Sequence, residues 1–72
     1  MGQPEPAEQA DPTLIAIRKV RHDLSNPLAA LLAETQLLLL DPGRHNAETL
    51  EGLRQIESLA RRMREILHDI KV

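Results

Sequence analysis

The chain has 72 residues and a formal net charge of −2; 42% of its residues are apolar, none is aromatic and none is cysteine. A chain of this length holds at most one domain, and so small a core is rarely stable without disulfides, a metal or a second copy. The lack of cysteine excludes disulfides and thiolate metal sites and fits a reducing cytoplasm. The near-neutral net charge does not favour nucleic acid as the partner. Composition and charge therefore favour a small cytoplasmic protein that self-associates.

Residues 1–11 form an acidic segment with almost nothing to bury. They are rich in proline, glutamate and glutamine, which is typical of a flexible tail or an expression remnant, and they do not resemble a secretory signal. The most apolar stretch, residues 27–40, is interrupted by Glu34, Thr35 and Gln36 and is too short to span a bilayer. We therefore expect no membrane contact from any part of these 72 residues.

The first predicted helix covers about residues 12–40. Asp11 suits the N-cap and Pro12 the first helical position. A set of positions spaced alternately three and four apart follows, and most of its members are aliphatic: Leu14, Ile17, Arg21, Leu24, Leu28, Leu31, Thr35 and Leu38. Such a repeat is typical of the seam of a helical bundle. Of its two polar members, we expect Arg21 to extend towards solvent and Thr35 to bond a carbonyl of its own helix.

A turn is predicted over residues 41–46, where Pro42 and Gly43 break the helix, and Asn46 suits the N-cap of a second helix. The second helix covers about residues 47–71, with Lys71 at its end, and repeats the same spacing: Thr49, Leu53, Ile56, Ala60, Met63, Leu67 and Ile70. Its charged side chains, including a Glu57–Arg61 pair, are expected on a solvated face together with His68, and His45 is expected to be solvated in the turn.

Each helix also carries a second apolar row beside its seam: Val20, Leu32 and Leu39 in the first, and Leu50, Leu59 and Ile66 in the second. A stripe this wide indicates that each helix has two neighbours. One antiparallel hairpin cannot supply them, but two hairpins can. The predicted fold is therefore all-α: an antiparallel helical hairpin over residues 12–72 that dimerises into a four-helix bundle about 40 Å long.

The stretch HDLSNPL, residues 22–28, interrupts the first helix with a proline. His22 lies about 200° around the helix from the seam residue Leu24, so it is expected to point away from the core. A neutral imidazole there has one ring nitrogen free to attack, and Asp23 is expected to accept a hydrogen bond from the other. Asn26, one turn on, suits the orientation of a water or a phosphoryl oxygen. Pro27 leaves the carbonyl of Asp23 without its helical partner, which predicts a hinge beside the nucleophile.

This stretch resembles the H-box of bacterial sensor histidine kinases: His, an acidic residue, an aliphatic residue, a variable residue, Thr or Asn, Pro and Leu. The resemblance extends over residues 12–71 to the dimerisation and histidine-phosphotransfer domain of those kinases. It implies that His22 is the phosphoacceptor, that Asp23 assists transfer from ATP, that Asn26 positions water during dephosphorylation, and that Pro27 is the H-box proline.

The resemblance also implies the partners: a second copy of the chain, an ATP-binding catalytic domain, and the receiver domain of a response regulator, whose aspartate takes the phosphoryl group. The small residues Ala29 and Ala33, with Gln36 below them, leave room for a receiver helix and are the expected contact row.

One departure from the family is large. There, an ATP-binding domain with asparagine- and glycine-rich boxes follows the hairpin, whereas this chain ends at Val72 and its three glycines form no phosphate-binding motif. We therefore expect this chain to bind no nucleotide or metal and to be inactive as a kinase alone, with ATP and Mg²⁺ on a separate catalytic domain. Two alternatives remain open: a purely structural dimerisation hairpin, and a standalone histidine phosphotransfer protein.

Overall fold

The computed structural model describes residues 11–70, which form an antiparallel hairpin of two α-helices. Helix α1 spans Pro12–Leu39, a short 3₁₀ turn spans Pro42–Arg44, and helix α2 spans Ala47–Asp69. The all-α hairpin predicted from the sequence is confirmed. The predicted helical ranges, 12–40 and 47–71, are slightly too long, since Leu40 and Ile70 lie beyond the observed helix ends. Residues 1–10 of the tail predicted over residues 1–11, and the predicted helical residue 71, lie outside the described residues.

Both helices begin at the predicted caps. The Asp11 carboxylate accepts a 2.8 Å hydrogen bond from the backbone N–H of Thr13, and the Asn46 side-chain oxygen accepts one of 2.7 Å from the N–H of Thr49. Such caps satisfy amides that have no partner inside the helix, and each stabilises the helix by about 1 kcal/mol. The two caps therefore define where each arm of the hairpin starts.

The turn between the helices is closed by its own backbone and by a histidine. Arg44 N–H donates to the carbonyl of Asp41 at 3.1 Å, and His45 N–H donates to that of Pro42 at 3.2 Å. The Nε2 atom of His45 lies 3.0 Å from the carbonyl oxygen of Leu38, near the C-terminal end of α1. The expectation that His45 is solvated is wrong: its side chain is half-buried, because it bonds a carbonyl that the end of the helix leaves without a partner.

The core of the hairpin is small and lies in the half nearer the turn. Leu28, Leu32 and Ala60 are buried, and Thr35 is buried beside them. The Thr35 hydroxyl donates to the carbonyl of Leu31 at 2.8 Å, as predicted, so this polar group is not left unsatisfied inside the core. The short side chain of Ala60 allows the two helices to approach closely at this level.

A large part of the apolar surface remains uncovered. The exposed members include predicted seam and second-row residues of both helices: Leu24, Leu31, Leu38, Ile56, Leu59, Met63 and Ile66. Several of them line an open cleft of about 310 Å³ between the helices, together with Pro27. We call these exposed residues and the cleft the apolar face. A hairpin gives each helix only one neighbour, so half of each wide stripe has nothing to pack against.

Neither helix in the described part of the chain is long and apolar enough to cross a membrane.

Candidate functional site

The His22 side chain is presented to solvent from the middle of α1. Three quarters of its surface is exposed, whereas Leu28, less than two turns further along the helix, is 6% exposed. Its neighbours on α1 form regular helix on both sides, so the backbone holds the imidazole at a defined height along the hairpin. The histidine therefore stands where a separate protein can reach it.

Asp23 lies beside His22, but its main partner is Lys19. The Nδ1 atom of His22 lies 3.6 Å from Oδ1 of Asp23, which is too long for a hydrogen bond, while Nζ of Lys19 donates to Oδ2 at 2.7 Å. The expected His22–Asp23 hydrogen bond is therefore not formed in this structure. Consecutive side chains diverge on a helix, whereas residues four apart face each other, so the lysine is better placed than the histidine.

Lys19 also sets the ionisation of this carboxyl group. Its ammonium group, mainly through the hydrogen bond, holds the pKa of Asp23 below its usual value, and the same bond raises the pKa of Lys19. Asp23 thus remains a carboxylate, with Oδ2 occupied by the lysine and Oδ1 on the histidine side. A carboxylate so placed can stabilise a positive imidazole by proximity. Lys19 was missed in the sequence analysis, although its spacing of four residues from Asp23 was a readable signal.

The turn that follows His22 is helical but weakened. Helix α1 continues through Pro27, which has no N–H to donate to the carbonyl of Asp23. In the same turn the Ser25 hydroxyl donates to the carbonyl of Arg21 at 2.6 Å, a bond type that often bends helices. Asn26 is exposed on the side of His22, one turn along. Two departures from regular helix bonding therefore fall within one turn of the histidine.

The predicted contact row below the histidine is accessible at two of its three positions. Ala29 and Ala33 are exposed, and Gln36 is half-buried. On α2, the predicted Glu57–Arg61 pair is present, with Nη2 of Arg61 donating to Oε2 at 3.3 Å. The hairpin thus offers a row of small side chains on α1 and charged side chains on α2.

Arg21 does not reach into solvent as expected. Its side chain is half-buried, and Nη1 donates a 2.6 Å hydrogen bond to the carbonyl of Ile70, the residue that caps the C-terminal end of α2. A helix ends with carbonyls that lack partners and with partial negative charge, so a nearby guanidinium is attracted there. Sequence periodicity identified Arg21 as an anomaly but did not identify its partner, because that partner lies 49 residues away.

A shallow cleft of about 370 Å³ lies next to this bond, lined by Arg21, Ser25, Arg64, Leu67 and His68. His68 is exposed there, as predicted. Among residues 11–70, no group of three or more histidine, aspartate or glutamate side chains is arranged to hold a metal ion.

Comparison of the sequence with models of known protein families identifies one family. Residues 16–71 match the family model described as the His Kinase A (phospho-acceptor) domain. Neither a search of curated proteins nor one of solved structures gave a match. The family match covers more than half of the chain and includes most of α1, all of α2 and the HDLSNPL stretch. The chain therefore belongs to the His Kinase A (phospho-acceptor) family, whose domains are parts of histidine kinases.

Proposed function

We propose that His22 is the phosphoacceptor of this domain, receiving the γ-phosphoryl group of ATP and passing it to an aspartate of a response-regulator receiver domain. The observation that carries the proposal is the exposed imidazole of His22 within HDLSNPL, with Nδ1 facing a carboxylate. Because Nδ1 is on the side of Asp23, the free nucleophilic atom is Nε2.

In the proposed reaction, the Nε2 lone pair of His22 forms a bond to the γ-phosphorus, while the bond from that phosphorus to the β,γ-bridging oxygen breaks and ADP leaves. The imidazole becomes positively charged and keeps its Nδ1 proton, and the Asp23 carboxylate, 3.6 Å from Nδ1, stabilises that charge by proximity. The domain contributes mainly position, since ATP and Mg²⁺ are held by a separate catalytic domain. In the second step, a receiver carboxylate oxygen attacks the same phosphorus and the N–P bond breaks.

Asn26 is proposed to act in the dephosphorylation of the receiver domain. Its side-chain amide, exposed one turn from His22, is placed to orient a water molecule that hydrolyses the phosphorylated receiver. Ala29, Ala33 and Gln36 are the proposed receiver contacts, and Pro27 the proposed hinge. The small side chains allow a receiver helix to lie close to α1.

Dimerisation is part of the same proposal. The apolar face exposes large aliphatic side chains from both helices, for example Leu31 at 48% and Met63 at 51%. A second hairpin with the same face would cover it symmetrically and complete a four-helix bundle. This occupant is favoured because the face combines seam positions of both helices, which is the pattern of a bundle interior.

The test is phosphorylation of the chain by a histidine kinase catalytic domain supplied separately with ATP and Mg²⁺. Wild-type protein should acquire label that is stable in base and lost in acid, as expected for phosphohistidine, and His22→Ala should acquire none. The chain contains two matched controls, His45→Ala and His68→Ala, which remove the other histidines and should leave labelling intact.

Label that persists in His22→Ala, or that disappears in His68→Ala, would contradict the assignment. A dimeric wild-type chain that no catalytic domain labels would favour the purely structural hairpin instead. Transfer to a receiver is followed in the same reaction, because the label should move from the chain to the receiver when the latter is added.

A further inference from the structure

We infer that Arg21 is a positioning residue for the phosphoacceptor: its bond to the Ile70 carbonyl holds the C-terminal end of α2 against the turn of α1 that carries His22. The inference rests on the proposed role of His22. Arg21 precedes that histidine directly, so whatever fixes Arg21 also fixes the height and rotation of the next residue on the helix.

The contact itself is strong and specific. At 2.6 Å it is short for a bond between a charged donor and a carbonyl, and it is partly shielded from water. Within residues 11–70, it is the side-chain hydrogen bond that links α1 to the end of α2; the others lie within one helix or in the turn. The partial negative charge at the end of α2 favours a cation at this position over an aliphatic side chain.

The Arg21–Ile70 bond lies in the less tightly packed half of the hairpin. The buried side chains of the described residues lie at positions 28–35 and 60, on the turn side of Pro27. On the other side of Pro27, the interhelical residues Ile17, Leu67 and Ile70 are only half-buried. The half of the hairpin that carries His22 is thus loosely packed. In that half the Arg21–Ile70 bond holds the two helices together, as apolar packing does nearer the turn.

The weakened turn at Ser25 and Pro27 separates these two halves. If the bond at Ile70 is removed, the N-terminal half of α1 is held to α2 only by partly covered aliphatic side chains and can bend at the proline. His22 would then sample several positions relative to α2. Phosphoryl transfer requires the nucleophile and the phosphorus to meet in one geometry, so such freedom lowers the rate.

The experiment compares Arg21→Met, which keeps an apolar stem but has no donor, with Arg21→Lys, which keeps the charge and a donor. Leu50→Ala serves as the matched control, since it removes half-buried interhelical packing near the turn, far from His22. Two quantities are measured on the full chain: amide hydrogen exchange along both helices, and kcat/KM for phosphorylation of His22 by a separate catalytic domain.

In Arg21→Met, exchange protection should fall about tenfold over the last turn of α2, the size expected for losing a charged hydrogen bond, and stay unchanged near residue 60. The kcat/KM for phosphorylation should fall by about tenfold, and Arg21→Lys should recover much of both losses. Leu50→Ala should change exchange near the turn and leave phosphorylation at the wild-type rate.

If Arg21→Met is phosphorylated as fast as wild type, the positioning role is wrong. It is also wrong if Leu50→Ala lowers the phosphorylation rate as much as Arg21→Met does for the same loss of stability. Uniformly faster exchange along both helices in Arg21→Met would also refute it, because it would indicate a general loss of stability. A wild-type chain that takes no label refutes the proposed function itself, which distinguishes that failure from one confined to Arg21.

Discussion

Replacing Leu31 by aspartate tests the apolar face directly. Leu31 lies in the cleft between the helices and is 48% exposed in the hairpin. On an isolated hairpin, Leu31→Asp removes only the covered half of the leucine side chain and should lower the free energy of unfolding by about 1 kcal/mol. In a two-fold dimer the same position is covered, so each chain would bury a carboxylate in an aliphatic interior.

The magnitude follows from the exposed fraction. Full burial of a leucine side chain contributes about 1.5–3 kcal/mol, so the uncovered half of Leu31 contributes about 1 kcal/mol, or about 2 kcal/mol for the two copies in a symmetric dimer. Desolvation of the two carboxylates adds several kcal/mol more. A total loss of at least about 4 kcal/mol corresponds to a dissociation constant raised about a thousandfold or more.

Sedimentation equilibrium at micromolar concentration measures this change, with circular dichroism to report helix content. Leu37→Asp is the matched control: it makes the same substitution in the same helix at a more exposed leucine, 59%, which lies outside the cleft. Wild type and Leu37→Asp should be dimers and Leu31→Asp a monomer. A monomeric wild type, or equal dissociation of the two variants, would refute the assignment of the apolar face to a second copy.

Three further outcomes are expected. Leu32→Ala, at 4% exposure, should lower the free energy of unfolding by about 2–4 kcal/mol in chemical denaturation at fixed protein concentration, and a loss below about 1 kcal/mol would show that this site is not core. Lys19→Met should raise the pKa of Asp23, measured by carbon-detected NMR, and an unchanged pKa would contradict the pairing. Because Lys19 lowers the pKa of Asp23 in the folded chain, the pair stabilises the fold at pH values above the pKa that Asp23 has in the unfolded chain. That stabilisation is lost as the pH falls through the pKa of Asp23 in the folded chain. Asn26→Ala should slow receiver dephosphorylation more than phosphorylation of His22, and equal losses in the two reactions would argue against water positioning.

Local signals in the sequence predicted the helices well. The caps at Asp11 and Asn46 and the Thr35 bond to Leu31 are formed as expected. Each depends on residues within four positions of one another, so the local backbone conformation is enough to bring donor and acceptor together.

Side-chain partners were harder to predict where two candidates compete. Asp23 was paired with its neighbour His22 in the sequence analysis, whereas the structure pairs it with Lys19. Helix geometry decides between them, since side chains four residues apart face each other and adjacent ones do not. His45 likewise became half-buried because the end of α1 presented a carbonyl that no local pattern assigns to it.

The sequence by itself determined that the chain forms two amphipathic helices, that Asp11 and Asn46 are their N-caps, and that His22 lies opposite the apolar stripe. These properties depend on periodicity and on contacts within one turn of helix. Only the tertiary structure decided which half of each stripe is buried within the hairpin and that Arg21 bonds the end of α2. Those outcomes depend on how two distant segments align when they pack, and residues 49 positions apart carry no local signal of their contact.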